Sequence, residues 1–431
     1  MNRYNVRVVR IDSTAEYTQR MLALGVHPRG AAIMSAKGQF YVFSAEKLGF
    51  AAASILKQEM LAKGGDAALS GEVYRGGEHT TDTLICGTVR VLRQVINNLA
   101  IQPIPSLQQL SAELKQALKF LQPCSSCSLS LGNLVCNWGQ RTYVMGILNA
   151  TPDSFSGDGL LDSKPPAESP IESAIQQGLA MAQAGADILD IGGESTRPGA
   201  KPVDADVELC RILPIIRGIR AMSPITISVD STKARVAAAA LDAGANMVND
   251  VSGLQGDVEM APLLAERNTP VVIMHRRSTS ASAVQVGELG GHFAATQAPT
   301  PQALDMLMAE IVCDLRRYVE QALQAGIARE RIIIDPGIGF GKVRSENLYL
   351  VNHLDELRVL GLPILLGPSR KAFIGYTLGL PVSERIEGTA ATVAVAIVRG
   401  VDIIRVHDVP QMVRVAKMTD ALVRPSMSEE G

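Results

Sequence analysis

The sequence predicts an α/β protein: a (β/α)8 TIM barrel preceded by a smaller α+β N-terminal domain. Three observations carry this. From about residue 140, short apolar runs alternate with helical patterns, as parallel strands do with crossover helices. Eight such repeats occupy about 280 residues, the size of a (β/α)8 barrel. Each run also delivers a polar residue at its C-terminal end, where barrel loops carry chemistry. An open, doubly wound sheet with fewer strands is the alternative.

The chain has 431 residues, for which two domains are the natural expectation. Its apolar fraction of 47% supplies substantial cores, and a net charge of −2 lacks the basic footprint of a nucleic-acid binder. No apolar run reaches the roughly 18 residues of a membrane span, and Met1-Asn-Arg-Tyr-Asn-Val lacks the apolar stretch of a secretory signal. A cytoplasmic location with no membrane partner is expected. Six cysteines in a chain of this length are no disulfide scaffold. Cys124-Ser-Ser-Cys127 and Cys136 have neither a second pair nor a nearby histidine to complete a zinc set, and read as linker cysteines.

Residues 1–122 form the first unit. Residues 5–11 alternate like a strand, and 31–34 and 39–43 are expected as further strands. Residues 45–62 have helical spacing that stops near Gly64-Gly65, 81–99 are read as a second helix, and 106–121 as a closing amphipathic helix. Pro123-Cys-Ser-Ser-Cys-Ser128 opens a linker, 123–139. The catalytic barrel is expected over 140–422. Its strands are read at 143–148, 187–191, 225–229, 247–248, 271–274, 332–334, 364–366 and 403–406. Helical stretches lie between them at 172–184, 207–222, 234–243, 302–325 and 348–360. The stretch 278–300, rich in Ser, Ala, Gly, Thr and Gln, reads as an insertion after the fifth strand.

The strand exits carry the chemistry. Asp335-Pro-Gly-Ile-Gly-Phe-Gly-Lys342 follows an apolar strand, so a carboxylate passes straight into a glycine-rich turn. A charge at a buried strand end requires a compensating partner, and the glycines let backbone approach a ligand closely. Asn149, Asp190 to Arg197, Asp230, Asn249-Asp250, Met274-His275, Ser369-Arg-Lys371, and Arg405 with His407 occupy the other seven exits. Helix caps would explain Asp and Asn but not lysine, arginine and histidine on the last two strands. Asp230, Asn249 and Asp335 suit the donors and acceptors of a flat, nitrogen-rich heterocycle. Arg405 and His407 suit an anion. A heterocycle bearing phosphate fits both sets.

These residues closely resemble dihydropteroate synthases. The matching stretches run in order from Met145-Gly-Ile-Leu-Asn-Ala-Thr-Pro-Asp-Ser-Phe-Ser156 through Asp190-Ile-Gly-Gly-Glu-Ser-Thr-Arg-Pro-Gly199, Val229-Asp-Ser-Thr232 and Val248-Asn-Asp-Val-Ser252. They continue through Asp335–Lys342, Ser369-Arg-Lys371, Arg385-Ile-Glu-Gly-Thr-Ala390 and Ile404-Arg-Val-His-Asp408, covering about 140–420. The resemblance implies a TIM-barrel homodimer that joins 6-hydroxymethyl-7,8-dihydropterin diphosphate to p-aminobenzoate, releasing diphosphate. It implies Lys371, Asp335, Arg405 and His407 as catalytic, and Asp230, Asn249, Met274, Asp335 and Lys371 around the pterin. It implies Asn149, Ser195, Arg405 and His407 at the diphosphate, with Mg2+ held at Asn149. Phe155, Thr196, Arg197, Pro198, Phe340 and Ser369 would frame p-aminobenzoate.

Several details depart from the family pattern. Ser156-Gly-Asp-Gly159 stands where Asp-Gly-Gly is usual, and Met274-His-Arg-Arg277 lacks a frequent asparagine directly before the insertion. The N-terminal unit lies outside the catalytic resemblance and contains no P-loop. Individual residues also have plainer readings. Asp190 and Glu194 could pair with Arg197, Asp250 and Asp408 could cap or orient their neighbours, and Lys342 could be a solvated helix-start charge. Two rival functions are a pterin-binding methyltransferase domain and a non-catalytic pterin-binding protein. The anion-gripping pair Arg405/His407 separates the synthase from the first, and the full set of catalytic positions separates it from the second.

Overall fold

The computed structural model describes residues 7–9, 11, 13–75, 79–121, 128–150, 169–194, 202–277, 285–286, 292–293 and 299–424. It divides into two compact units, Met1–Gln122 and Pro123–Gly431.

In the first unit, strands β1 (Phe40–Gly49), β2 (Asp66–Leu69) and β3 (Thr80–Thr88) form an antiparallel sheet in the order β1-β3-β2. Helices Phe50–Lys63, Val89–Ala100 and Pro105–Phe120 supply the apolar faces, and Leu56, Met60, Leu92, Val95 and Leu114 pack with Ile85 in one core. Three expectations are corrected here. Residues 31–34 belong to the helix Pro28–Ser35, which Pro28 starts and the His27 side chain caps. The expected helix 81–99 is a strand followed by a helix: Thr81, Thr83 and Ile85 are buried alternately, and the Thr88 hydroxyl caps the helix from Val89. The helix expected from 45 begins at Phe50, because β1 runs on to Gly49 through a bulge at Ala45/Leu48.

The second unit begins with a hairpin in the stretch read as linker. Strands β4 (Ser128–Leu131) and β5 (Leu134–Asn137) pair antiparallel. Their Leu129, Leu131 and Cys136 join the apolar layer at the N-terminal end of the barrel, and Thr226 Oγ1 donates to Leu131 O at 2.7 Å. The hairpin therefore acts as a plug. Of the expected β-strand at 5–11, residues 7–9 and 11 are described and belong to no strand; the cysteines Cys124 and Cys127 lie outside the described residues.

Eight parallel strands follow: β6 (Tyr143–Asn149), β7 (Ile188–Gly192), β8 (Thr226–Asp230), β9 (Met247–Asp250), β10 (Val271–Met274), β13 (Ile332–Asp335), β14 (Leu365–Leu366) and β15 (Ile403–Val406). Each expected barrel strand is found, in the order β13-β10-β9-β8-β7-β6-β15-β14, and a parallel bridge from Ile334 to Ile364 joins the two ends. Between β10 and β13, the insertion contains a two-residue strand pair, β11 (Gln285–Val286) with β12 (His292–Phe293). The helix Pro301–Gln324 then follows.

Strand alternation sorts the barrel into layers. Leu189, Ile191, Ile227, Val229 and Val248 point out against the helices. The inward residues at the strand starts, Tyr143, Met145, Ile188, Met247, Val272, Ile333, Leu365 and Ile403, form the apolar floor above the hairpin. Two residues further along, β7, β9, β13 and β15 place Asp190, Asn249, Asp335 and Arg405 at the inward positions.

Candidate active site

Strand register brings the polar positions side by side. Asn149 lies beside Gly192, Gly192 beside Asp230 and Asp230 beside Asn249, forming one row across β6 to β9. Met274 and Asp335 are neighbours at the ends of β10 and β13. Asn249, Val251, Met274, Asp335, Ile338, Phe340, Gly367, Lys371 and Arg405 line one cleft at this end of the barrel.

Arg405 organises the cleft. Its Nε donates to Asp190 Oδ2 at 2.5 Å and its Nη2 to Asp230 Oδ2 at 2.7 Å. Asn249 Nδ2 also donates to Asp190 Oδ2, at 2.9 Å. Asp190 is fully buried, and its Oδ1 has no hydrogen-bond partner among the described residues. The guanidinium thus sits against the Asp190 and Asp230 carboxylates while also lining the cleft. Burial alone would lower its pKa, but Asp190 and Asp230 outweigh that and raise it.

For the carboxylates burial outweighs the neighbouring cations, which favours their neutral form. Burial pushes Asp230 up to about 7 despite Arg405. Burial likewise raises Asp335 to about 6, opposed by the Gly337 N–H and by Lys371, Lys342 and Arg405. The Gly337 N–H donates to Asp335 Oδ1 at 2.7 Å. Lys371 is brought down to about 8, by burial first and then by Arg405. Its ammonium stands 4.3 Å from the centre of the Phe340 ring, a cation–π contact.

The last two exits form a second cluster. The Ser369 hydroxyl lies 3.0 Å from His407 Nδ1 and accepts the His407 backbone N–H at 3.1 Å. Arg370 takes a left-handed backbone (φ +56°) and pairs with Asp408 through two bonds, of 3.0 and 2.6 Å. The strained turn rests on the motif 385–390. The buried Arg385 donates to Arg370 O at 3.1 Å, and Thr389 Oγ1 accepts the Arg370 N–H at 3.1 Å. This supporting role was visible in sequence only as a family motif, because its partners lie fifteen and nineteen residues away.

The pairing of Asp190 and Glu194 with Arg197 falls outside the described residues. Asp190 bonds Arg405 and Asn249, whereas Glu194 pairs with Lys233, which also bonds the buried Glu208 at 2.7 Å. Asp250 is a local cap, accepting from Ser252 N, Ser252 Oγ and Leu254 N. Lys342 is not a solvated charge: it is 1% exposed. Phe155, Ser195, Thr196, Arg197 and Pro198 lie outside the described residues. Asn149, Asp230, Asn249, Met274, Asp335, Phe340, Ser369, Lys371, Arg405 and His407 all stand at the C-terminal end of the barrel strands or on the loops that leave it.

Residues 145–407 match the family described as pterin binding enzyme, and the chain belongs to that family. Within it, the chain belongs to the dihydropteroate synthases. It is 43% identical over 297 residues to the dihydropteroate synthase of Clostridium beijerinckii, covering 69% of this chain and 100% of that protein. A probable bifunctional folylpolyglutamate synthase/dihydropteroate synthase of Halobacterium salinarum is 35% identical over 95% of this chain, which spans 46% of that protein. A match of that extent reaches into the first unit. The fold is also similar to Xanthomonas albilineans dihydropteroate synthase solved with 4-aminobenzoic acid: TM-score 0.59 at 37% identity, covering 69% of this chain and 98% of that one.

Proposed function

We propose that the barrel condenses 6-hydroxymethyl-7,8-dihydropterin diphosphate with p-aminobenzoate, giving 7,8-dihydropteroate and diphosphate. The observation that carries the reading is the buried row Asp230, Asn249 and Asp335 closed by Lys371 and Arg405, since so many buried polar groups need a ligand rich in donors and acceptors. In this reading Asp230, Asn249, Asp335 and Lys371 hold the pterin and Met274 packs on its ring. Asn149, Ser195, Arg405 and His407 hold the diphosphate. Phe155, Thr196, Arg197, Pro198, Phe340 and Ser369 frame p-aminobenzoate.

The reaction breaks the C–O bond between the pterin methylene and diphosphate, with the electron pair leaving on oxygen. The arylamine lone pair forms the new C–N bond, and its nitrogen then loses a proton. Asp335 faces the electron-poor methylene side with negative charge, while Arg405 and His407 meet the developing charge of the leaving group. Mg2+ fits the donor set: it usually keeps waters and substrate phosphates and takes few protein ligands, so the Asn149 amide oxygen at a strand end suffices. Bound there, it would supply charge neutralisation at the diphosphate. No nucleophile–base pair is required.

We further propose a cytoplasmic homodimer. No described helix is long and apolar enough to cross a membrane, and Cys86, Cys136, Cys210 and Cys313 are free thiols. Val395, Val398, Met418 and Leu422 leave apolar surface on the last two barrel helices for pairing. To test the site, Asp230→Asn should weaken calorimetrically measured binding of the dihydropterin diphosphate by about tenfold or more, because a charge facing the ring is lost. Wild-type affinity in this variant would contradict the assignment.

A further inference from the structure

The loop leaving β13 is wound around its own last residue. The Lys342 ammonium has three acceptors for its three N–H bonds: Gly337 O at 2.9 Å, His275 Nδ1 at 3.0 Å and Phe340 O at 3.3 Å. The backbone between them needs glycine, because Gly337, Gly339 and Gly341 have φ of +66°, +81° and +67°. This path turns the Gly337 and Phe340 carbonyls onto the ammonium; Gly337 O also accepts the Phe340 N–H at 3.1 Å, closing the turn beneath it. Asn347 braces the other side, accepting the Gly339 N–H at 2.7 Å and donating to Lys342 O and Val343 O, each at 2.9 Å.

His275 completes the arrangement. Burial brings Lys342 down to about 7, and in its protonated form it donates to Nδ1, which leaves the ring proton on Nε2, 3.5 Å from Asp314. Burial, then Lys342, brings His275 down to about 3, which keeps the ring neutral and able to accept. Glu310 and Asp314 approach His275 closely enough to suggest a cation site. However, Glu310 is already paired with Arg277, and a second cation, Lys342, stands on the other ring nitrogen.

Two groups assigned to the substrates hang on this loop. Asp335 is held by the Gly337 N–H, and Phe340 lies against Lys371. We propose that Lys342 is a positioning residue for the synthase reaction: its buried ammonium, with His275 as third acceptor, fixes the loop that presents Asp335 and Phe340. The inference rests on the substrate roles given to those two residues above.

The test uses the purified full chain with Mg2+, the dihydropterin diphosphate and p-aminobenzoate, with circular dichroism to confirm folding. Lys342→Met should raise KM for the dihydropterin diphosphate by about tenfold or more. It should also move the acid limb of the kcat/KM profile to higher pH, because Asp335 loses a neighbouring positive charge. Asp335 is faced by Lys371 and Arg405, which remain, and Lys342 is faced by Arg277, Glu310 and Glu346, so the shift is specific to the removed ammonium. His275→Asn keeps an acceptor near the Nδ1 position and should retain at least about fivefold more kcat/KM than His275→Leu. A folded Lys342→Met enzyme with wild-type KM and an unmoved acid limb would overturn the proposal. If Lys342→Met does not fold, equal kcat/KM in the two His275 variants overturns it. Failure of the wild-type chain to form dihydropteroate would instead overturn the functional reading itself.

Discussion

Asp335 is asked to do two things that depend oppositely on pH. Its folded pKa, about 6, lies above the ordinary carboxylate value, so the protonated form is favoured in the fold. Its contribution to the stability of the substrate-free protein is therefore fully present below about pH 4 and is lost as pH rises through about 6. In the proposed assignment activity runs the other way, because the ionised group would face the pterin. We predict that kcat/KM falls as pH drops below about 6, while the stability of wild type relative to Asp335→Asn rises over the same interval. Urea unfolding and steady-state rates at matched pH values measure both, and a stability difference that falls toward acid would contradict the assignment. Asp335, Asp230 and Asn249 were legible in the sequence because each ends an apolar run. Arg405's ion pair with Asp190 was not, since 215 residues separate them and only strand register brings them together. The burial of Lys342 was equally hidden, because nothing in a charged residue before a helix distinguishes a solvated head group from one enclosed by its own loop.

At the scale of elements, the glycine-rich turn after β13 is the most demanding piece of backbone in the barrel. A Cβ at Gly337 would stand 1.9 Å from the His275 carbonyl oxygen, on a residue with φ of +66°. Gly337→Ala should therefore destabilise the barrel by at least about 2 kcal/mol and reduce activity, since the turn that carries Asp335 must move. A melting temperature and kcat/KM equal to wild type would show that the turn tolerates a side chain. The barrel strands are legible because each is a short buried run, whereas the helix expected at 348–360 is the end of an α-helix, Arg344–Asn352, followed after His353 by a 3-10 helix, Leu354–Leu360. The first unit was read less well. Its threonine-rich β3 resembles a helix start in composition, and only the alternate burial of Thr81, Thr83 and Ile85 reveals the strand. The hairpin at 128–137 reads as linker in sequence because four-residue strands leave little pattern, and its apolar side is explained only by the barrel floor that it closes.

For the whole molecule, the two units differ in what is known of them. The Clostridium beijerinckii synthase matches over its entire length while covering only 69% of this chain, so a barrel of this kind stands alone as a protein. Residues 123–431 expressed without the first unit should fold and retain synthase activity, as dichroism and rate measurements would show; an insoluble or inactive product would make residues 1–122 part of the catalytic fold. The hairpin must stay with the barrel in that experiment, because its leucines cover the floor. The central claim is the condensation itself, and one assay tests it most directly. Purified full-length chain, Mg2+ and the dihydropterin diphosphate are followed for diphosphate release with and without p-aminobenzoate. Release matched by dihydropteroate formation only when the arylamine is present is the predicted result. Tight pterin binding with no product under any condition would contradict the account and leave a binding protein on the same barrel.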